Sequence, residues 1–441
     1  MIKQATFSNE EFWKWISGLI KNNVNYFDGM IDIERYATGR EFRNNSENKC
    51  SIFEKLKESV PSNYFHEMEY CALAYSVIFS KVFPPLAQHI EELAYIEWLN
   101  YVEPEDSDYR DHFVHMLKVT FVCDELFHKF WNDAMVKWQF DCAHFKQWCK
   151  EEKIYFHEDK KQTIMSSAVF LSAIFHDFGY GYKFLRTYEE RLFKLNLVGC
   201  DSMDITKTRS KVINKSLLAR FIIEHHEWYQ RTKQDLEKEP DERLKKMRRE
   251  NIPCGFIHDC LPLNHSVASS LMVLDIAEDL YQSQIINSEL YIAFQIAAEA
   301  CLLHDLTKRK KYLHLGHVSE DHRHFFDHNC QLKTPIATLL IFADELSMWS
   351  RPLVEFTPKD TDKLECCINY EWKYKNFPKT TFPDELKIDF NDTPRALNIL
   401  LKKEEQKNNL QHILEECNCF NDANGKTLKI FESELKICIP A

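Results

Sequence analysis

Apolar residues recur every three or four positions over most of the chain, the period of helices with one buried face. Ser8-Asn9-Glu10-Glu11 opens such a run through Phe12, Trp15 and Ile16, with the Ser8 hydroxyl able to cap its first turn. Tyr64 to Phe83 is another helical run. Pro84-Pro85 stops it, and Leu86 to Tyr101 begins the next. Gly39 to Ser51 is polar and reads as a loop, so the first hundred residues read as helices and their connections. The same spacing continues from Tyr109 to about Arg351 with few strand-like alternations. Leu197 to Asn214 interrupts it as a loop. Arg231 to Cys254 interrupts it as a run of charge that includes Lys245-Lys246-Met247-Arg248-Arg249 and reads as a solvated helix rather than a nucleic-acid patch.

Past Pro352 the period changes. Glu365 to Trp372 and Leu386 to Phe390 read as strands, and Thr393-Pro394 as the start of a helix running to about Cys417. Thr427 to Phe431 and Leu435 to Ile439 are short strand candidates around a turn. The expected architecture is mainly α: an N-terminal helical region over 1–108, a helical domain over 109–352, and a small α+β appendage over 353–441.

Composition sharpens this picture. The 441 residues hold only 9 Gly and 14 Pro, too few for a fold rich in tight turns, which favours long helices. The net charge of −12 opposes binding of long nucleic acid, though not of a small anion beside a bound cation. The 15 Cys form no Cys-x-x-Cys pair; the nearest approaches are Cys366-Cys367 and Cys417-Asn418-Cys419. Reduced, mostly buried thiols in a cytoplasm fit better than a disulfide scaffold. MIKQATFSNEEFW has acidic residues where a signal peptide has its apolar core, and no window approaches about eighteen uninterrupted apolar residues. A cytoplasmic protein with no membrane partner is expected.

Histidine and aspartate cluster on apolar segments: His112 and His115; His176-Asp177; His265; His304-Asp305 together with Asp344-Glu345. An imidazole or carboxylate on a hydrophobic helix face is costly unless paired or bound to a cation. One alone reads as a hydrogen-bonded core residue. Five separate helices each bringing one to an apolar seam are satisfied together by convergence on a metal. His176-Asp177 is the strongest element, because a carboxylate can bridge two cations while an imidazole binds one. Gly179 and Gly181 follow it and indicate a tight turn or a close backbone approach, of which a substrate phosphate is one candidate.

His115, His176-Asp177 and Asp344 resemble the H…HD…D pattern of the HD superfamily of metal-dependent phosphohydrolases. Val119, four residues after His115, is similar to that family's first helix, and Phe342-Ala343-Asp344-Glu345 to the helix of its last aspartate. The resemblance covers about 109–352, and the runs from His265 to Ser270 and from Leu339 to Pro352 look like a bacterial branch of HD-domain proteins. It implies an HD-type helical bundle with one or two divalent cations (Mn, Fe, Co, Ni, Zn or Mg). His115, His176, Asp177 and Asp344 would hold one, and Asp177, His265 and His304 the other. It implies hydrolysis of a nucleotide or other small phosphate ester by metal-activated water. Asp177 would orient the attacking hydroxide, and Asp305 or Glu345 would shuttle protons. Many members carry Lys three residues after the HD aspartate. Here that position is Tyr180, and Lys183, Arg186 and Lys308 are the candidate phosphate contacts, Lys183 counted also among the catalytic residues.

Other arrangements compete with this one. The long stretch between Asp177 and His265 requires an insertion, within which His225-His226 could supply a ligand instead. His265, His304-Asp305 and Asp344 form an H…HD…D set by themselves, so two HD units compete with one shared site, which is preferred. The stretch holding His314, His317, His322, His324 and His328 reads as a solvated or lid-like loop, and Trp138, Trp148 and Trp228 as core or pocket walls. No phosphate-binding glycine loop, dinucleotide fingerprint or serine-hydrolase elbow occurs. The competing functions are a catalytically weak nucleotide-sensing or regulatory module and an HD nuclease. A homo-oligomer is compatible with the sequence.

Overall fold

The structure, a computed structural model, describes residues 3–21, 26–27, 29–31, 112–180, 213, 215–224, 265–306, 332–347, 354–358, 370–374, 385–392, 395–420 and 427–439. These residues are mostly helical, with a small sheet formed chiefly by the C-terminal segments.

The chain opens on a strand, β1 (Lys3–Ser8), where helices were expected. Its alternation is short but regular: Ala5 and Phe7 are buried, while Lys3 and Gln4 are exposed. Helix α1 (Asn9–Lys21) follows, capped as expected by Ser8, whose Oγ accepts the Glu11 amide at 3.2 Å. Phe12, Ile16 and Leu19 form its buried face.

The helical part that carries the site consists of α2 (His112–Leu126), α3 (Asn132–Asp141), α4 (Ala143–Glu151), α5 (Lys161–Phe175), α6 (Leu217–Glu224), α7 (His265–Gln282), α8 (Ser288–Leu306) and α9 (Pro335–Ser347). A π-helical turn, Phe127–Trp131, joins α2 to α3. Every residue of α9 is buried, and so is nearly all of α5 from Ile164 onward. Helices apolar on all sides belong at the centre. Accordingly α5 packs against α2, α8 and α9, and α7 lies along α8. Trp148 is buried in this core and Trp138 packs at its edge, both as expected.

Beyond α9 lie a ribbon of β2 (Val354–Pro358) and β3 (Tyr370–Tyr374), then β4 (Glu385–Asp392), β5 (Arg395–Leu400), α10 (Glu404–Glu416), β6 (Lys429–Ile430) and β7 (Ser433–Cys438). The five-stranded sheet has the order β1-β4-β5-β7-β6, with β5 and β7 parallel and the other pairs antiparallel. The helix expected from Thr393-Pro394 is thus a strand in its first part and a helix only over Glu404–Glu416. Arg395–Leu400 sits mid-sheet, with β4 and β7 hydrogen-bonded on either side and Leu397 and Ile399 buried. Those ladder bonds and that burial override local helix preference.

The sheet and the helices share one apolar core. Phe390 meets Phe130 with ring centroids 5.7 Å apart, Phe431 meets Trp131 at 4.9 Å, and Phe420 meets Phe342 at 5.6 Å. Phe342 stands two residues before Asp344, so the turn after α10 that carries Phe420 buttresses the helix with a site carboxylate. The cysteines among the described residues are free thiols, and Cys123, Cys301, Cys417 and Cys419 are buried. Among the described residues no helix is long and apolar enough to cross a membrane. The boundaries expected at 108 and 352, the helices of 64–101, the loop of 39–51, Glu365 to Asn369, the stretches 197–212 and 231–254 and Trp228 lie outside the described residues.

Candidate metal centre

Helices α2, α5, α7, α8 and α9 converge at one place, and they bring together the six expected ligands His115, His176, Asp177, His265, His304 and Asp344. His115, His176, Asp177, His304 and Asp344 are buried, and only 12 % of the His265 side chain is exposed.

The ring nitrogens are oriented from behind. His176 Nδ1 lies 2.7 Å from the carbonyl oxygen of Ala173, and His304 Nδ1 lies 2.6 Å from that of Cys301. A carbonyl only accepts, so each Nδ1 donates, and each neutral ring presents its Nε2 lone pair to the pocket. Ser347, one turn after Asp344 on α9, donates its hydroxyl to the Asp344 carbonyl at 2.9 Å and stands 3.2 Å from His115 Nδ1. Ser347 Oγ, which can accept as well as donate, holds His115 Nδ1, and His115 Nε2 lies 2.8 Å from Asp344 Oδ1, close enough for a proton or a cation to join them.

His176 Nε2 carries the plainest signal. It is fully buried, has no hydrogen-bond partner, and points toward Asp177 Oδ2 at 3.5 Å. A buried nitrogen lone pair without a donor is costly, and a cation removes that cost.

Asp177 divides its two oxygens. Oδ2 faces His176 at 3.5 Å and His115 at 3.8 Å; Oδ1 faces His265 at 3.4 Å and His304 at 3.7 Å. His265 Nε2 and His304 Nε2 are themselves 3.3 Å apart. The groups His115–His176–Asp344 and His176–Asp177–His304 each have ligand atoms within 4.8 Å of one another, so these buried groups can hold a metal ion. The donor set of neutral imidazoles and carboxylates fits a divalent cation.

The electrostatics agree with that fit. Burial pushes the Asp177 carboxyl up, but the imidazoles of His176, His304, His265 and His115 outweigh it and hold the group well below the usual carboxylate range. Burial lowers His176 and brings His265 down to about 4, so both rings are neutral at pH 7 and able to ligate. His304 runs the other way: burial lowers it, but its hydrogen bond with Asp177 and the nearby charges outweigh this and raise it, which favours a proton on Nε2 that a bound cation would displace.

The turn after α5 places Asp177. Phe178 N–H donates to Phe175 O at 3.2 Å and Tyr180 N–H to Asp177 O at 3.0 Å. Ser269 on α7 donates to His176 O and accepts from Gly179 N–H, both at 2.7 Å. A Cβ on Gly179 would lie 1.9 Å from the His265 carbonyl oxygen. The close approach expected at Gly179 is therefore made by the start of α7, rather than by a phosphate.

Asp305 stands at the rim, 15 % exposed, with Oδ2 3.9 Å from His265 Nδ1, so His304-Asp305 faces the same pocket instead of building a second one. Glu345 is buried beside Asp344. Ser347 and Ser269 were not singled out in the sequence; their signal was one of spacing, a turn after Asp344 and after His265. Lys183, Arg186, Lys308, Gly181, His225-His226 and the stretch from His314 to His328 lie outside the described residues. Compared with known proteins, the chain matches no protein-family model, no curated protein and no solved structure.

Proposed function

We propose that this chain is a metal-dependent phosphohydrolase of the HD type, acting on a nucleotide or another small phosphate ester. The observation that carries the reading is His176 Nε2, buried and without a hydrogen-bond partner amid imidazoles and carboxylates from other helices. The residue order supports the HD resemblance, and the helical setting is compatible with it.

In this reading His115, His176 and Asp344 would hold one cation and His265 and His304 another, with Asp177, whose oxygens face the two groups, shared between them. Imidazole with carboxylate suits Mn, Fe, Co, Ni or Zn better than Mg alone. Such a cation supplies Lewis acidity, which acidifies water and polarises a phosphoryl oxygen. The ionised Asp177 accepts a hydrogen bond from the attacking water and so orients it. Asp305, at the rim beside His265, would take that water's proton. The buried helices exclude bulk water from the inner ligands, and the partly exposed His265 and Asp305 mark the side of entry. So enclosed a site in a chain of net charge −12 suits a small ester better than a duplex, which weighs against the nuclease reading.

One observation favours a second reading, a catalytically weak nucleotide-sensing module: Tyr180 stands where many HD proteins carry a phosphate-contacting Lys. Metal content and turnover separate the two. The purified chain, analysed for metal and assayed with Mn²⁺ against nucleotides and phosphomonoesters, is expected to bind metal and release phosphate or a nucleoside product. Bound metal without turnover would favour the sensor. Neither metal nor turnover would sink both.

A further inference from the structure

The ligand rings are not all held alike. His115, His176 and His304 each have Nδ1 fixed by a hydrogen-bonding oxygen. His265 does not: Asp305 Oδ2 stands 3.9 Å from its Nδ1, too far for a hydrogen bond. Instead the His265 ring lies flat against Tyr180, with centroids 4.1 Å apart and planes 17° from parallel. Tyr180 is itself fixed, because its amide donates to the Asp177 carbonyl and the preceding Gly179 amide donates to Ser269. The turn that supplies the bridging carboxylate thus also supplies a clamp for the least buried imidazole of the set.

Resting on the metal-centre reading above, we infer that Tyr180 is a positioning residue for the outer cation: its ring face fixes His265, and the ion held by Asp177, His265 and His304 is the weaker and more exchangeable of the two. The inner group has every imidazole locked by hydrogen bonds and shielded from solvent. The outer group has one imidazole backed by a stacked ring and a carboxylate beyond hydrogen-bond distance, on the side that opens to solvent. Groups that orient a ligand from behind are worth about ten- to hundredfold in metal affinity. Losing the Tyr180 face therefore weakens the outer ion by at least about tenfold and leaves the inner ion as it was.

The test uses the full chain, stripped by chelator and titrated with Mn²⁺ by calorimetry. Paramagnetic resonance then distinguishes an isolated Mn²⁺ from a coupled pair. Wild type is expected to take up two ions in separate steps and show the coupled signal. Tyr180→Leu should keep the first step and lose the second at the same Mn²⁺ concentration, leaving an isolated-ion signal. Tyr180→Phe, which keeps the ring face, should behave as wild type. The retained first step in Tyr180→Leu also reports that the variant is folded. Two unchanged steps in Tyr180→Leu would overturn the role of Tyr180 and leave the metal centre standing. So would loss of both steps, because the ring would then support the whole turn, and so would failure of Tyr180→Phe, because the hydroxyl would then be the agent. Wild type taking up one ion only would overturn the two-ion arrangement. No uptake by wild type would remove the centre itself.

Discussion

Two buried pairs in this molecule look alike. His115 meets Asp344 at 2.8 Å, and His144 on α4 meets Glu299 on α8 at 3.1 Å. All four residues are buried. Their surroundings differ. His115 and Asp344 belong to a crowd of four imidazoles and two carboxylates whose lone pairs converge, so a single proton between the two leaves the rest unsatisfied. Among the described residues His144 faces Glu299, and its ring lies edge-on to Phe221 at 5.1 Å. One turn before Glu299, Gln295 accepts the Leu217 amide at 3.1 Å and ties α6 to the same helix. The first pair belongs to a cluster that can hold a metal ion; the second joins α4 to α8. What separates them is the number of acceptors that share one small volume, not the distance or the burial.

Removing one ligand or one fastener should therefore fail differently. His176→Ala is expected to abolish metal uptake by the inner group and cut turnover about a thousandfold or more, as befits several kcal/mol of lost transition-state stabilisation. The metal-free variant also loses the Nδ1 hydrogen bond to the Ala173 carbonyl and the packing of a buried ring, so it should unfold several degrees below metal-free wild type. Elemental analysis, turnover and melting of chelated protein read the three quantities. Glu299→Ala should differ in keeping its metal. Leaving His144 buried beside an empty position costs about 3–5 kcal/mol, read by denaturant unfolding, while the folded fraction keeps its full metal content. Loss of metal from that variant at full folding would merge the two pairs into one network.

Gly179→Ala tests the seam between α5 and α7. The added Cβ meets the His265 carbonyl oxygen at 1.9 Å and the Ser269 amide nitrogen at 2.8 Å, both backbone atoms that yield only if α7 moves. An overpacked contact of this kind costs about 1–3 kcal/mol. The displacement falls on His265, so outer-ion affinity should drop along with denaturant stability. A variant as stable as wild type with unchanged Mn²⁺ uptake would show that α7 can slide freely over the turn.

Much of this centre was legible because its residues are conspicuous where they stand. His115, His176, Asp177, His304 and Asp344 each stand on or just after an apolar helix, and burial makes such polar groups expensive. His265 was found by its order in the set. The locks were not legible. A serine one turn from a ligand is ordinary on any helix, and only the fold shows that Ser347 reaches His115 while Ser269 reaches the turn at Gly179. The sheet hid for a related reason. β1 has six residues, and its partner β4 lies at the other end of the chain. β5 is a strand because β4 and β7 flank it, which no local window contains.

A third contact of the same residue types marks the weak end of the comparison. His128 Nε2 stands 3.4 Å from Asp124 Oδ1, and the histidine side chain is 44 % exposed. The Asp124 side chain also accepts the Trp15 indole N–H at 2.9 Å. The hydrogen bond with Asp124, followed by its charge and that of Glu125, outweighs the modest burial of His128 and raises its pKa above the usual imidazole value. A raised histidine stabilises the fold below its unfolded-state pKa of about 6.5, and that stabilisation fades as the pH climbs through the folded-state value. So exposed a pair, screened by water and salt, is worth roughly 0.2–1 kcal/mol. His128→Asn should therefore unfold slightly more easily than wild type at pH 5.5. The gap should close at pH 8 and shrink in high salt, as read by paired denaturant curves. A gap that grows with pH would mean that His128 acts as a neutral hydrogen-bonding partner of Ser166, which lies 3.5 Å away, rather than as a cation beside Asp124.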